Sequence, residues 1–107
     1  MKKISGISYV GVLPETQLSD TVGNVTTSVA ATITVPTGAY RVVLNGDADF
    51  WVNPTTTAAV PSTTVASGGS FFQMKGLRTA YEVTPGDTFS VIPATGTVHV
   101  SEEWFQA

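Results

Sequence analysis

The sequence predicts an all-β domain, either a jelly roll or a β-sandwich of about eight short antiparallel strands. Three observations predict this fold class. Apolar residues do not recur at helical spacing, short β-branched and aromatic runs fill most of the chain, and Gly, Pro, Asn and Asp separate these runs. At 107 residues the chain is long enough to bury one core. Because it contains no cysteine, that core forms without disulfides.

The N-terminal part of the chain is predicted to differ from the rest. Residues 7–13 form an apolar run that reads as a first strand, whereas residues 15–28 are polar and read as a loop or arm. We therefore divide the chain into an N-terminal strand and arm, residues 1–28, and a β-sandwich, residues 29–107. The arm is a candidate for a segment that becomes ordered on assembly, at the entropic cost that such segments carry.

The strands of the sandwich are predicted from alternation and from the turns between them. Residues 31–35 and 40–44 alternate apolar and polar side chains on either side of a Pro-Thr-Gly turn, so we expect them to pair as a hairpin. The Pro- and Thr-rich stretch 53–69 is long for a structureless loop, and an edge strand is expected near residues 63–66. The remaining predicted strands are residues 49–52, 70–74, 79–83, 88–92 and 97–104.

Composition excludes several classes of partner. The net charge of −3 provides no basic surface for phosphate groups, so nucleic-acid binding is not expected. The chain also has no run of about 18 apolar residues, the length that a membrane span needs. Charged residues make up only 12% of the sequence, against about 25% in typical soluble domains. Two explanations remain open: threonine suits strands, or other subunits cover part of the surface.

No catalytic, cofactor or metal site is predicted, and the chain is expected not to be an enzyme. A nucleophile with its base is not identifiable, because there is no cysteine, one histidine and no Gly-x-Ser-x-Gly turn. Asp47 and Asp49 are close enough to share a calcium ion, but they lack the further ligands of an EF-hand and favour a solvated turn. His99 lies about 13 Å along a strand from Glu103, too far to close one zinc site. Glu102 and Glu103 are interpreted as protective charges at the strand end.

The aromatic residues divide into core candidates and contact candidates. Tyr40, Phe50 and Phe89 fit the apolar alternation and are assigned to the core. Other aromatic side chains exceed what so small a core needs, and an exposed ring can anchor a protein interface or stack on a sugar. The candidates for a partner contact are Trp51, Phe71 and Tyr81.

Four stretches in the last two-thirds of the chain carry a resemblance. They are Ile33-Thr34-Val35-Pro36-Thr37-Gly38-Ala39-Tyr40, Asp49-Phe50-Trp51-Val52-Asn53, a Gly-Gly-Ser turn after a Pro- and Thr-rich loop, and Val98-His99-Val100-Ser101. In this rhythm of strands the chain resembles the small jelly-roll proteins that decorate or stabilise the capsids of tailed bacteriophages. The family often carries a basic residue directly after the tryptophan, where Val52 stands in this chain.

The resemblance implies a virion structural protein. Such a protein is made in the host cytoplasm, sits on the outer capsid surface as a homotrimer, and binds assembled major coat protein without a cofactor. The alternative is a carbohydrate- or receptor-binding β-sandwich module of a phage tail or fibre. In that case Trp51, Phe71 or Tyr81 would serve as the stacking platform.

Overall fold

The computed structural model of the chain describes residues 2–3, 16–55, 57–61 and 70–106. Every regular element in these ranges is a strand, and the strands form two antiparallel sheets. Their inner faces enclose one hydrophobic core, so the molecule is a β-sandwich, and the predicted fold class is confirmed. The described ranges contain no helix long and apolar enough to cross a membrane.

The described part of the chain contains nine strands, which build the two sheets. The five-stranded sheet has the order β1-β7-β4-β9-β2, and the four-stranded sheet has the order β3-β8-β5-β6. The strands are β1 (Lys2–Lys3), β2 (Thr16–Thr27), β3 (Ala31–Thr34), β4 (Arg41–Gly46), β5 (Phe50–Asn53), β6 (Phe71–Gln73), β7 (Thr79–Glu82), β8 (Thr88–Pro93) and β9 (Val98–Gln106).

The strand pairing is nested. β5 pairs with β6, β4 with β7, β3 with β8 and β2 with β9, each pair enclosing the one before it along the chain. Pairing of β4 with β9 and of β5 with β8 then joins these pairs into sheets. Most contacts are therefore formed between residues far apart in sequence.

Strand alternation places the core between the sheets. Successive side chains of a strand point to opposite faces, so every second residue of the central strands is buried. Each fully buried valine or phenylalanine contributes about 1.5–3 kcal/mol of hydrophobic free energy. The core residues with no exposed surface are Ala39, Val42, Leu44, Phe50, Val52, Val91, Val98 and Val100.

Two sequence predictions about neighbouring strands are wrong. β3 and β4 do not form a hairpin, because β3 pairs with β8 in one sheet while β4 pairs with β7 and β9 in the other. The Pro-Thr-Gly turn, in which Gly38 has a φ of 86°, carries the chain from sheet to sheet instead. Tyr40 is also not a core residue, since it is 53% exposed and Ala39 takes the buried position.

The polar segment before the sandwich is largely a strand. Thr16–Thr27 is β2, a twelve-residue strand that pairs along β9 with an irregularity between Gln17 and Val22. The prediction of a loop over residues 15–28 is therefore wrong. The polar composition of β2 suits a strand at the edge of a sheet, where charged and polar side chains discourage further pairing. The strands predicted at residues 7–13 and 63–66 lie outside the described residues.

Candidate functional site

The edge of the four-stranded sheet carries exposed apolar side chains. β6 is the last strand of that sheet, and the turn after it leads towards β7. Four apolar residues in this stretch of seven positions are 39–57% exposed: Phe71, Phe72, Met74 and Leu77. We call these four residues the β6 surface. Exposed apolar groups beside the outermost described strand of a sheet are typical of a protein contact.

A buried polar network positions β6. The Gln73 side chain is 2% exposed, and its Nε2 donates to the carbonyl oxygens of Leu44 at 2.7 Å and Leu77 at 3.2 Å. The Tyr81 hydroxyl donates to Gln73 Oε1 at 2.9 Å. Burial raises the pKa of Tyr81, so the phenol stays protonated and remains a donor. Since Leu44 and Tyr81 belong to the five-stranded sheet, the network ties the β6 edge to the opposite layer.

The turn after β6 is held by hydrogen bonds that two of its backbone amides donate. The Lys75 amide donates to Asp49 Oδ1 at 2.8 Å, and the Gly76 amide donates to the Gly46 carbonyl at 2.9 Å. Gly76 has a φ of 73°, a conformation that side chains with a Cβ rarely adopt. Met74 and Leu77, on either side of these bonds, are therefore presented by an ordered turn.

The structure exposes one of the three predicted contact residues and buries the other two. Phe71 is exposed on β6, as the prediction requires. Tyr81 is 1% exposed and belongs to the core, so its assignment as a contact is wrong. Trp51 is also buried, because the ring of Phe72 packs edge-on against it at a centroid distance of 5.2 Å. Trp51 points away from the core, and its position along the strand does not show what covers the outer face of the sheet, whereas Tyr81 points into the core between the sheets.

The loop after β5 covers part of that outer face. Asn53 Oδ1 accepts a hydrogen bond from the Thr55 amide at 3.0 Å, which starts the loop. The Ala58 amide then donates to Ser90 Oγ at 2.9 Å, and Ala58 is buried. A cavity of about 220 Å³ between loop and sheet is lined mainly by Thr and Ser hydroxyl groups, Thr32 and Ser90 among them. The described lining of this cavity therefore offers uncharged hydrogen-bonding groups.

The two candidate calcium ligands have separate structural roles. Asp47 accepts the His99 backbone amide at 2.8 Å, and its other oxygen lies 2.7 Å from His99 Nδ1. These hydrogen bonds lower the pKa of Asp47. Asp49 instead fixes the turn after β6. Within the described ranges, His, Asp and Glu residues nowhere form a group of three or more that could hold a metal ion.

The two carboxylates in the middle of β9 point in opposite directions. Glu103 accepts a hydrogen bond from Arg78 Nη2 at 2.6 Å on the outer face of the sheet. Glu102 lies on the inner face with Val100 and Trp104 and is 5% exposed. The interpretation of Glu102 as a protective surface charge is therefore wrong. Its alternation with Val98 and Val100 is the sequence signal that would have revealed the buried position.

Glu102 lines a groove at the open side of the sandwich. The groove has a volume of about 390 Å³ and lies between β2 and β3. Burial raises the pKa of Glu102 to about 7, and its buried Oε2 has no hydrogen-bond partner among the residues that the structure describes. A Cβ added at Gly23 would lie 3.1 Å from that oxygen, so glycine leaves the space that the carboxyl group occupies.

Comparison with protein-family models, curated proteins and solved structures gives no match to this chain. Proposals about function therefore rest on the geometry of the β6 surface and of the groove that Glu102 lines.

Proposed function

We propose that the chain is a non-enzymatic structural protein that binds neighbouring protein subunits through the β6 surface. The observation that carries this proposal is the exposure of Phe71, Phe72, Met74 and Leu77 at one sheet edge. An interface gains most from apolar groups that are already held in place, because less conformational entropy is lost on binding. The Gln73 network and the ordered turn hold this surface in place.

The proposed setting is a virion, with assembled major coat protein as partner and a homotrimer on the outer capsid surface. Nested pairing of β2 with β9, β3 with β8, β4 with β7 and β5 with β6 is the strand order of a jelly roll. That order supports the finer fold assignment and the resemblance to phage decoration proteins. The low charged content also suits a protein whose surface is partly covered by other subunits.

The non-enzymatic role is supported by what the polar side chains do. Asp47, Asp49 and Glu103 are hydrogen-bonded to turns or to a neighbouring strand. The one histidine of the chain lies beside Asp47. A hydrolytic site needs a nucleophile within hydrogen-bond distance of its base, and these groups instead hold the scaffold together.

The carbohydrate-binding alternative has less support. A stacking platform needs an accessible ring face, and the rings of Trp51 and Tyr81 are buried. Phe71 and Phe72 remain accessible, so a glycan array still distinguishes the two functions. Selective binding to one class of glycan by a monomeric protein would overturn the assembly role.

The proposal is tested by sedimentation of the purified protein, alone and with capsids assembled from the coat protein of the same virus. The double variant Met74→Ser, Leu77→Ser removes apolar surface without altering the core. It is expected to weaken self-association and capsid binding at least about tenfold, equivalent to about 1.4 kcal/mol. Val29→Ser is the matched control, because Val29 is 67% exposed but lies between β2 and β3. Equal association of all three proteins would contradict the proposal.

A further inference from the structure

A groove at the open side of the sandwich is lined by Glu102, whose buried carboxylate oxygen can accept a hydrogen bond. Among the described residues that line the groove, Glu102 is the one with a charged side chain, and the others include Asn24, Val25, Thr32 and Trp104. Its Oε2 has no hydrogen-bond partner within the described part of the chain, although the residue is 5% exposed. A buried polar group without a partner costs about 1–3 kcal/mol, and more when it is charged. A ligand that supplies donors and positive charge would remove that cost.

Two basic side chains near the groove, Arg78 and His99, have acidic partners outside it. Arg78 pairs with Glu103, which points to the opposite face of β9. His99 lies beside Asp47 at the other end of the same strand. The groove thus provides an acidic acceptor, and no basic residue is found in the part of its lining that the structure describes.

The edges of the groove favour a polypeptide. Among the described strands, β2 is the last strand of the five-stranded sheet and β3 the last strand of the four-stranded sheet, so each has an outer edge beside the groove. An extended segment lying along such an edge gains backbone hydrogen bonds, while alternate side chains point into pockets. A volume of about 390 Å³ is at the lower end of the range for small-ligand sites and has room for one long side chain.

We propose that this groove binds a lysine or arginine side chain of an extended partner polypeptide, with Glu102 as the ion-pair acceptor. The site is distinct from the β6 surface, because β3 and β6 are the two opposite edges of the four-stranded sheet. It therefore goes beyond the proposed function and does not depend on it. A charge-assisted hydrogen bond to Oε2 gives the groove its selectivity for a cation over a neutral side chain of the same length.

The test uses a blocked pentapeptide of sequence Thr-Val-Lys-Val-Thr, titrated into the full chain at pH 8 and low salt, with binding followed by NMR. We expect roughly millimolar affinity, with shifts at the Gly23 amide and at the Glu102 side-chain carboxyl carbon. Replacing the peptide's lysine by norleucine, which is about as long but uncharged, should weaken binding at least about tenfold. The variant Glu102→Gln should weaken it to the same extent.

Glu103→Gln is the matched control, because it removes the same charge from the outer face of the same strand. Unchanged affinity in this variant, together with loss in Glu102→Gln, supports the site. Equal loss in both variants would show only non-specific attraction of the peptide to an acidic protein. That result, equal binding of the norleucine peptide, or no binding to the wild-type chain would overturn the proposal.

Discussion

At the scale of single residues, Glu102 couples stability to pH. Its carboxyl group has an ordinary pKa of 4.5, which burial raises to about 7 in the folded chain. The folded state therefore retains a proton that the unfolded state has lost between these values. Under that condition the contribution of Glu102 to the free energy of unfolding falls as pH rises from about 4.5 to 7, and this contribution is constant outside the window.

The variant Glu102→Gln should remove this dependence, because the amide is similar in shape and has no charge to bury. At pH 8 it should be more stable than the wild type by up to about 3 kcal/mol, whereas near pH 4 the two should be about equal. Urea denaturation across this pH range measures the difference. Glu103→Gln should show no such trend, and a wild-type-to-variant difference that stays constant with pH would contradict the assignment.

A second residue-scale prediction concerns the hydroxyl group of Tyr81. Tyr81→Phe keeps the ring in the core but leaves the buried Gln73 Oε1 without the donor that it has at 2.9 Å. We expect a loss of about 1–2 kcal/mol in the free energy of unfolding. Tyr40→Phe makes the same chemical change at a half-exposed position and should have almost no effect. Equal stability of the two variants in chemical denaturation would show that the network does not hold β6.

At the scale of elements, the sequence predicts strands where one face is buried. Ala31–Thr34 lies within one residue of its predicted position, because its alternation reports a dry and a wet face. Thr88–Pro93 is also close to its predicted position, because a turn bounds its apolar run on each side. Thr16–Thr27 was missed because an edge strand rich in polar residues lacks that signal. The sequence also does not predict that β2 pairs with β9 and β3 with β8. These strands are far apart along the chain and become neighbours only in the folded sheets.

The same limit applies to the candidate site. Residue type alone predicts Phe71 as a contact residue. The exposure of Phe72, Met74 and Leu77 depends on the place of β6 as the last described strand of its sheet, which is a property of the tertiary fold. Buried positions of Trp51 and Tyr81 follow from neighbours contributed by other strands. Residue type therefore predicts the chemistry of an interface better than it predicts which surface carries it.

Deletion of residues 1–23 tests the role of β2. The sequence alone suggests that a folded domain remains, with weaker association. In the structure this deletion removes most of a strand that pairs with β9 as far as Gln106 and bounds the Glu102 groove. We therefore expect the melting temperature to fall by more than about 5 °C. Deletion of residues 1–15 spares β2 and is the control; equal melting temperatures for the two truncated chains would show that β2 contributes little.

At the scale of the whole molecule, the two proposed contact surfaces lie at opposite edges of the four-stranded sheet. The β6 surface is apolar, and the groove beside β3 offers a carboxyl group. A subunit with two chemically different contacts can join one neighbour through hydrophobic burial and another through a charged side chain. Such an arrangement suits a protein that connects copies of itself to a second protein.

If the two surfaces act separately, their variants should have separable effects. Met74→Ser, Leu77→Ser should reduce sedimentation of the self-associated species and leave lysine-peptide affinity unchanged, whereas Glu102→Gln should do the reverse. The combined variant should show both losses, and their free energies should add to within about 0.5 kcal/mol, as expected for sites that share no contacts. Loss of self-association in Glu102→Gln would instead mean that the groove lies within the interface between copies. The basic side chain that it binds would then come from a second copy of this chain.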